Sequence, residues 1–178
     1  MRPYPDEILR SMQHSLQTYV IPHVDDKWGS YVAKVMKRML KHLELRWKLE
    51  GPLLLEDIAD LRAVLGSLRK SLSTASLQQE DDAGKIVARI NATLAETTEL
   101  PAGWLSVEAL TGVDELLRET LVAVIETSDV LAERGHEQVL APARAEIRSY
   151  LRREVDRDNQ LVEITFMSFA PPSSGDEG

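Results

Sequence analysis

Apolar residues recur along most of this chain at steps of three and four, the spacing that lines one side of an α-helix. Residues 26–50 divide most sharply. Wound at about 100° per residue, they set Trp28, Val32, Val35, Met36, Met39, Leu43 and Trp47 on one side and Lys27, Lys34, Lys37, Arg38, Lys41 and Lys48 on the other. The pattern predicts a helix with one face buried and one face wet.

The neighbouring stretches extend this reading. Pro5 suits the first position of a helix, and Asp6 and Glu7 complement the dipole of its first turn. Ile8, Leu9, Met12, Leu16, Tyr19 and Val20 form its apolar stripe, and Pro22 ends it. Asp25 or Asp26 then caps the second helix. Glu50-Gly51-Pro52 reads as a stop followed at once by a start, so a tight helical hairpin is expected there. A third helix over about residues 52–72 carries the most regular seam of the chain: Leu54, Ile58, Leu61, Leu65, Leu68 and Leu72.

Residues 73–82 lose the periodicity and gain turn formers and acids, which predicts a mobile connection. A fourth helix over about residues 83–97 places Ile86, Val87, Ile90 and Leu94 on one arc. Pro101 and Gly103 interrupt the pattern, and Trp104 is expected to plug the end of the bundle. Ser106 is an N-cap for a fifth helix whose stripe includes Leu110, Leu117, Leu121, Val124 and Leu131. A sixth is expected to start near Ala141, which keeps Pro142 in its first turn, and to reach about Arg157. Val162, Ile164 and Phe166 then alternate as in an extended segment, and residues 170–178 are disordered by composition.

The fold expected is an all-α, single-domain, up-and-down bundle of five or six helices over residues 1–169. Its order of elements is also compatible with two halves, residues 1–72 and 83–157. A length of 178 residues suits one core, and 43% hydrophobic with 28% charged residues is a globular composition. No apolar run approaches the roughly 20 residues needed to cross a bilayer. Asp6 and Glu7 stand where a secretory signal would be apolar, so a cytoplasmic protein is expected.

The absence of cysteine removes disulfides, thiolate nucleophiles and cysteine-ligated metals from consideration. Glu133-x-x-His136 has the spacing used by carboxylate-bridged di-iron bundles. A full site needs a second such pair, and His14, His23 and His42 have no Glu three residues before them. Neither a metal site, a cofactor nor a catalytic group is implied, and whether the protein is an enzyme stays open. A net charge of −8 disfavours nucleic acid as a partner. The lysine-rich side of the second helix is the local exception.

Two readings compete. In the leading one the protein is noncatalytic and binds another protein through the basic face of the second helix, with Lys34, Lys37, Arg38 and Lys41 as contact residues. In the other, a pocket between the second and fifth predicted helices holds an acidic or phosphorylated small molecule with His42, Arg46, Trp47 and Asp114. Each has an ordinary counterpart: a solvated charged face, a histidine beside a core, a tryptophan within one, and an intrahelical pair of Asp114 with Arg118. Ser128, inside the apolar stripe, can bond a carbonyl one turn back. The regular leucine seam also leaves room for a homodimer through the third helix.

The helix ending Tyr19-Val20-Ile21-Pro22, the long second helix, Leu43-Glu44-Leu45-Arg46 and Glu50-Gly51-Pro52 together resemble uncharacterised bacterial helical proteins encoded beside aminoglycoside-phosphotransferase-like kinases and acyl-CoA dehydrogenases. The resemblance covers the first third of the chain. Those proteins carry Arg, His and Asn along the second helix where this chain has Lys27, Tyr31, Lys34 and Lys37, so no functional residue carries over. What the resemblance implies is a cytoplasmic accessory protein, partner to a kinase-like enzyme.

Overall fold

A computed structural model of the chain describes residues 2–77, 79–98 and 106–166, with side chains for all of these except Ala75 and residues 162–166. Trp104 and the tail 170–178 lie outside the described residues. The described part is an all-α bundle without strands: α1 (Pro5–Ser15), α2 (Lys27–Leu72), α3 (Asp81–Glu96), α4 (Val107–Leu131) and α5 (Glu137–Phe166).

The expected break at Gly51-Pro52 is absent. α2 runs unbroken for 46 residues with Pro52 inside it. The apolar stripe explains why: Trp47 and Leu54 are seven residues apart, two helical turns, so the face stays in phase across the proline. Pro52 removes one backbone hydrogen bond, and packing of the flanking turns outweighs that loss.

The C-terminal boundary moved as well. α5 begins at Glu137, so Pro142 sits in its second turn rather than its first. It continues to Phe166, and the segment expected to be extended is helical as far as that residue. Between α4 and α5, residues Ala132–His136 form one wide π-helical turn with Gly135 at φ 95°, a conformation that favours glycine.

The described chain divides into two compact units: Met1–Glu50 with Arg157–Gly178, and Gly51–Asp156. The second holds the core. Ile58, Leu61, Leu65, Leu68 and Leu72 of α2 pack with Ile86 and Ile90 of α3, Leu117, Leu121 and Val124 of α4, and Leu140, Ile147 and Tyr150 of α5. The leucine seam is therefore consumed inside its own unit, by an intrachain partner rather than by the homodimer for which it left room. Leu77 also joins this core, so the connection expected to be mobile is anchored at that point. Ser106 caps α4 as expected, its Oγ accepting from the Ala109 N–H at 3.1 Å.

The first unit is different. Among its described residues Ala33 is the one buried apolar side chain. Its helical segments, α1, residues 27–50 of α2 and the end of α5 from Arg157, leave Met12, Trp28, Met39 and Trp47 among other large apolar side chains exposed to solvent.

Continuity of α2 has a thermodynamic consequence. Pro52→Ala restores a backbone donor inside a helix and should stabilise the protein by up to about 3 kcal/mol, read as a higher urea midpoint. A hairpin with Pro52 at a helix start would give no gain.

Candidate functional site

The first unit is built as a helical hairpin with defined ends. The Tyr4 N–H donates to Glu7 Oε2 at 3.0 Å where α1 opens, which holds the chain at the helix entrance. A π-helical turn at Leu16–Val20 and a short 3-10 turn at Ile21–His23 lead away from it. Asp26 Oδ2 accepts from the Gly29 N–H at 2.6 Å where α2 opens. Glycine is required there, because a Cβ would lie 2.8 Å from Val24 Cγ1.

Glu44 fastens the two helices. Its Oε1 accepts from Arg10 Nε at 2.9 Å and from Lys48 Nζ at 2.8 Å, and its Oε2 accepts from Gln13 Nε2 at 3.2 Å. Hydrogen bonds from Lys48 and Arg10 pull its carboxyl down to about 2. Lys37 Nζ donates to Gln17 Oε1 at 2.6 Å, a further tie along the same line.

Beside this line of polar contacts lies an apolar groove of about 480 Å³, walled by Met12, Leu16 and Val20 on one side and Met36, Met39, Leu40 and Leu43 on the other, with Ser11 and Ser15 at its margin. The groove continues onto the face of α2 expected to be buried. That expectation is corrected: Trp28 is 70% exposed, Met39 62% and Trp47 63%, and Val32, Met36 and Leu43 are exposed with them. Amphipathic spacing identifies a face that seeks an apolar partner, and the described residues of this unit leave it exposed.

The lysine-rich side is exposed too. Lys34 and Lys41 point to solvent and form no ion pair with any described residue. Lys37 is half-buried against Gln17, and Arg38 is half-buried with a partner of its own. Residues 1–50 carry nine Lys+Arg and six Asp+Glu, a net charge of +3, so the remainder of the chain carries −11 of the total −8. The segregation is steeper than the stripe alone suggests.

The four residues of the small-molecule reading fall in different units. His42, Arg46 and Trp47 lie on α2 in the first unit. His42 is half-buried and engaged, Arg46 pairs with Glu50 one turn on, and Trp47 projects into solvent. Asp114 belongs to the second unit, where it is buried beside Arg118.

Asp114 enters a polar cluster that the sequence indicated only in part. Its Oδ2 accepts from Arg118 Nε at 2.7 Å, the intrahelical pair expected from the spacing. The other arms of the same guanidinium reach Asp57 of α2 and Glu154 of α5. The Tyr150 hydroxyl donates to Asp57 Oδ1 at 3.2 Å. Three carboxylates thus share one cation in a largely enclosed space. Burial is the chief reason that the Asp114 carboxyl is pushed up to about 6, Arg118 opposing it and Asp57 adding to it. Burial first, then the Asp57 charge, drives the Tyr150 phenol upward.

Beside it Arg153 grips Asp60 with both faces of its fork, at 2.9 and 2.7 Å. These contacts join α2, α4 and α5, and among the described residues they leave Asp114 Oδ1 buried without a hydrogen-bond partner. Ser128 is buried, but its hydroxyl makes no hydrogen bond, so the expected bond to a carbonyl one turn back is not formed. At Glu133-x-x-His136 the histidine Nε2 lies 3.1 Å from Glu80, and Arg134 binds Glu80 and Asp82 at 2.9 and 3.0 Å. The π-helical turn is held there by ion pairing. No group of three or more His, Asp or Glu among the described residues is arranged to hold a metal ion.

Comparison with known proteins adds no relative: no family model matches the chain, and neither does any curated protein or solved structure.

The Asp114 shift sets a pH dependence. A folded-state value near 6 stands above the roughly 3.9 of an unfolded Asp. The folded protein therefore binds more protons between those values, and its stability falls as pH rises through them. Relative to Asp114→Asn, the wild type should lose on the order of 1 to 2 kcal/mol between about pH 4 and pH 7, the full shift being moderated by solvent reaching Arg118. Urea unfolding at a series of pH values reads this. Parallel curves for the two proteins would contradict it.

Proposed function

We propose that this chain is a noncatalytic accessory protein of the cytoplasm that binds another protein through the lysine ridge of α2. The observation that carries the reading is the pair Lys34 and Lys41, exposed and unanswered by any acid among the described residues. They lie seven residues apart, roughly 10 Å along one side of the helix. An ordinary solvated face has its charges balanced by neighbouring acids, and the acid nearest in sequence to Lys41, Glu44, is already engaged by Arg10 and Lys48, while the one nearest to Lys34, Asp26, accepts from the Gly29 N–H.

A concentrated positive ridge on an otherwise acidic chain steers an acidic surface to one place and repels it elsewhere. The chemistry of the partner follows: a protein presenting carboxylates at matching spacing. A kinase-like enzyme, implied by the resemblance of the first third of the chain, is the proposed class. Support against catalysis comes from the Arg118 cluster, whose charged groups mostly engage one another: Arg118 bonds Asp57 and Asp114, and Tyr150 bonds Asp57.

Affinity capture by the tagged full-length protein in its host, with identification of what is bound, tests the reading. Lys34→Glu with Lys41→Glu should reduce recovery of the bound protein about tenfold or more at moderate salt, and the wild-type interaction should weaken as salt rises. The melting temperature should not move, since neither lysine contributes a contact. Capture that survives both reversals and high salt would reject the ridge as the contact surface.

A further inference from the structure

We propose that the apolar face of the α1–α2 hairpin is closed by the same face of a second copy of this chain, forming a four-helix layer about a two-fold axis. This goes beyond the lysine ridge and does not depend on it. The face runs from Trp28 to Trp47, roughly 28 Å of helix, with Met12 and Val20 of the first segment beside it across the groove.

Its chemistry selects the occupant. Large apolar side chains left 38 to 70% exposed on one face, Val32 and Trp28 being the extremes, represent on the order of 1,000 Å² of accessible surface, above the roughly 800 Å² per partner of a standard stable interface. The groove wall holds only apolar side chains and two serines. Arg46, at the edge of the face, is neutralised by Glu50. Methionine and tryptophan enrichment with charge excluded from the centre is the composition of an interface core.

A membrane surface fits less well. Interfacial helices place cations at the flanks of the inserted face, whereas Lys34 and Lys41 lie about 160 to 180° around the helix from the centre of this one. A foreign protein chosen for specificity would need a charged rim to register against, and here the rim is neutral. A second hairpin of the same sequence is equally apolar and equally neutral. Two-fold pairing makes each patch its own complement and turns both lysine ridges outward, away from each other.

Sedimentation of the full-length protein at tens of micromolar tests the inference. The expected mass is twice the 20.0 kDa of one chain. Met39→Glu with Leu43→Glu places unpaired charges in the interface and should weaken dimerisation at least about 100-fold, giving the single-chain mass. Both side chains are exposed in the single chain, so an unchanged helical signal for the variant separates lost pairing from lost folding.

Because the chain has no cysteine, single cysteines can be introduced without competing thiols. Among Met36→Cys, Met39→Cys and Leu43→Cys at least one should give a covalent dimer under mild oxidation, and Lys34→Cys should not. A wild type of single-chain mass at every concentration would overturn the inference, whether that monomer binds anionic phospholipid vesicles, another protein or nothing. So would a dimer that survives both glutamates, or the failure of all three interface cysteines to cross-link. Loss of partner capture with the dimer intact would bear on the lysine ridge alone.

Discussion

A pair of helices packed along one line cannot bury an apolar face on each, because burial needs a second layer and two helices make only one. Residues 51–156 satisfy this requirement internally: α3, α4 and α5 pack on the seam of α2, and Leu61, Leu65 and Leu68 are sealed from solvent. Residues 1–50 do not. The same helix thus carries an apolar stripe that is fully covered after Pro52 and largely bare before it. Much of what is distinctive here follows from that contrast, since the bare half is where hydrophobic free energy is still available for association.

The polar contacts follow a related logic. In the second unit Arg118, itself 37% exposed, reaches inward to Asp57, Asp114 and Glu154, and a cation facing three carboxylates is oversupplied with negative charge. Proton uptake at Asp114 relieves the excess, and its protonated form can share a hydrogen bond with Asp57. Such a network fixes the mutual placement of α2, α4 and α5 more than it adds to stability, because desolvation of the charges offsets much of their attraction. In the first unit the corresponding role falls to Glu44, whose contacts with Arg10 and Gln13 orient α1 while Lys48 holds it from its own helix.

Local signals were legible in the sequence where the physics is local. The Ser106 cap, the opening of α1 at Pro5, Asp26 at the start of α2 and the Asp114–Arg118 pair all depend on residues within four positions of each other. The break at Gly51-Pro52 was misread because both residues are terminators in isolation, while the phase of the stripe across them, a longer-range property, decides for continuity. Asp57, Tyr150 and Glu154 gave no sign of convergence, since Asp57 and Glu154 meet Arg118 from sequence separations of 61 and 36, Tyr150 meets Asp57 from 93, and only tertiary packing brings them together. The apolar side of residues 26–50 was expected to be buried and is largely exposed. Periodicity states that a face is apolar and is silent on whether the cover comes from the same chain.

Charge and hydrophobicity on the first half of α2 are segregated more strictly than a solvated helix requires. A helix with one neighbour needs one apolar stripe, and the rest of its circumference can mix charges of both signs. Here the stripe facing α1 is short and partly polar, lined by Ala33, Leu40, Lys37 and Glu44, while the wider apolar arc points elsewhere and the lysines hold the side opposite to it. On the two proposals made for this helix, its three distinct surfaces would serve α1, an apolar body and an acidic one. Because the last two lie on opposite sides, occupation of one leaves the other accessible, and a chain joined to its copy through methionine and tryptophan would still offer a lysine ridge on each outer side.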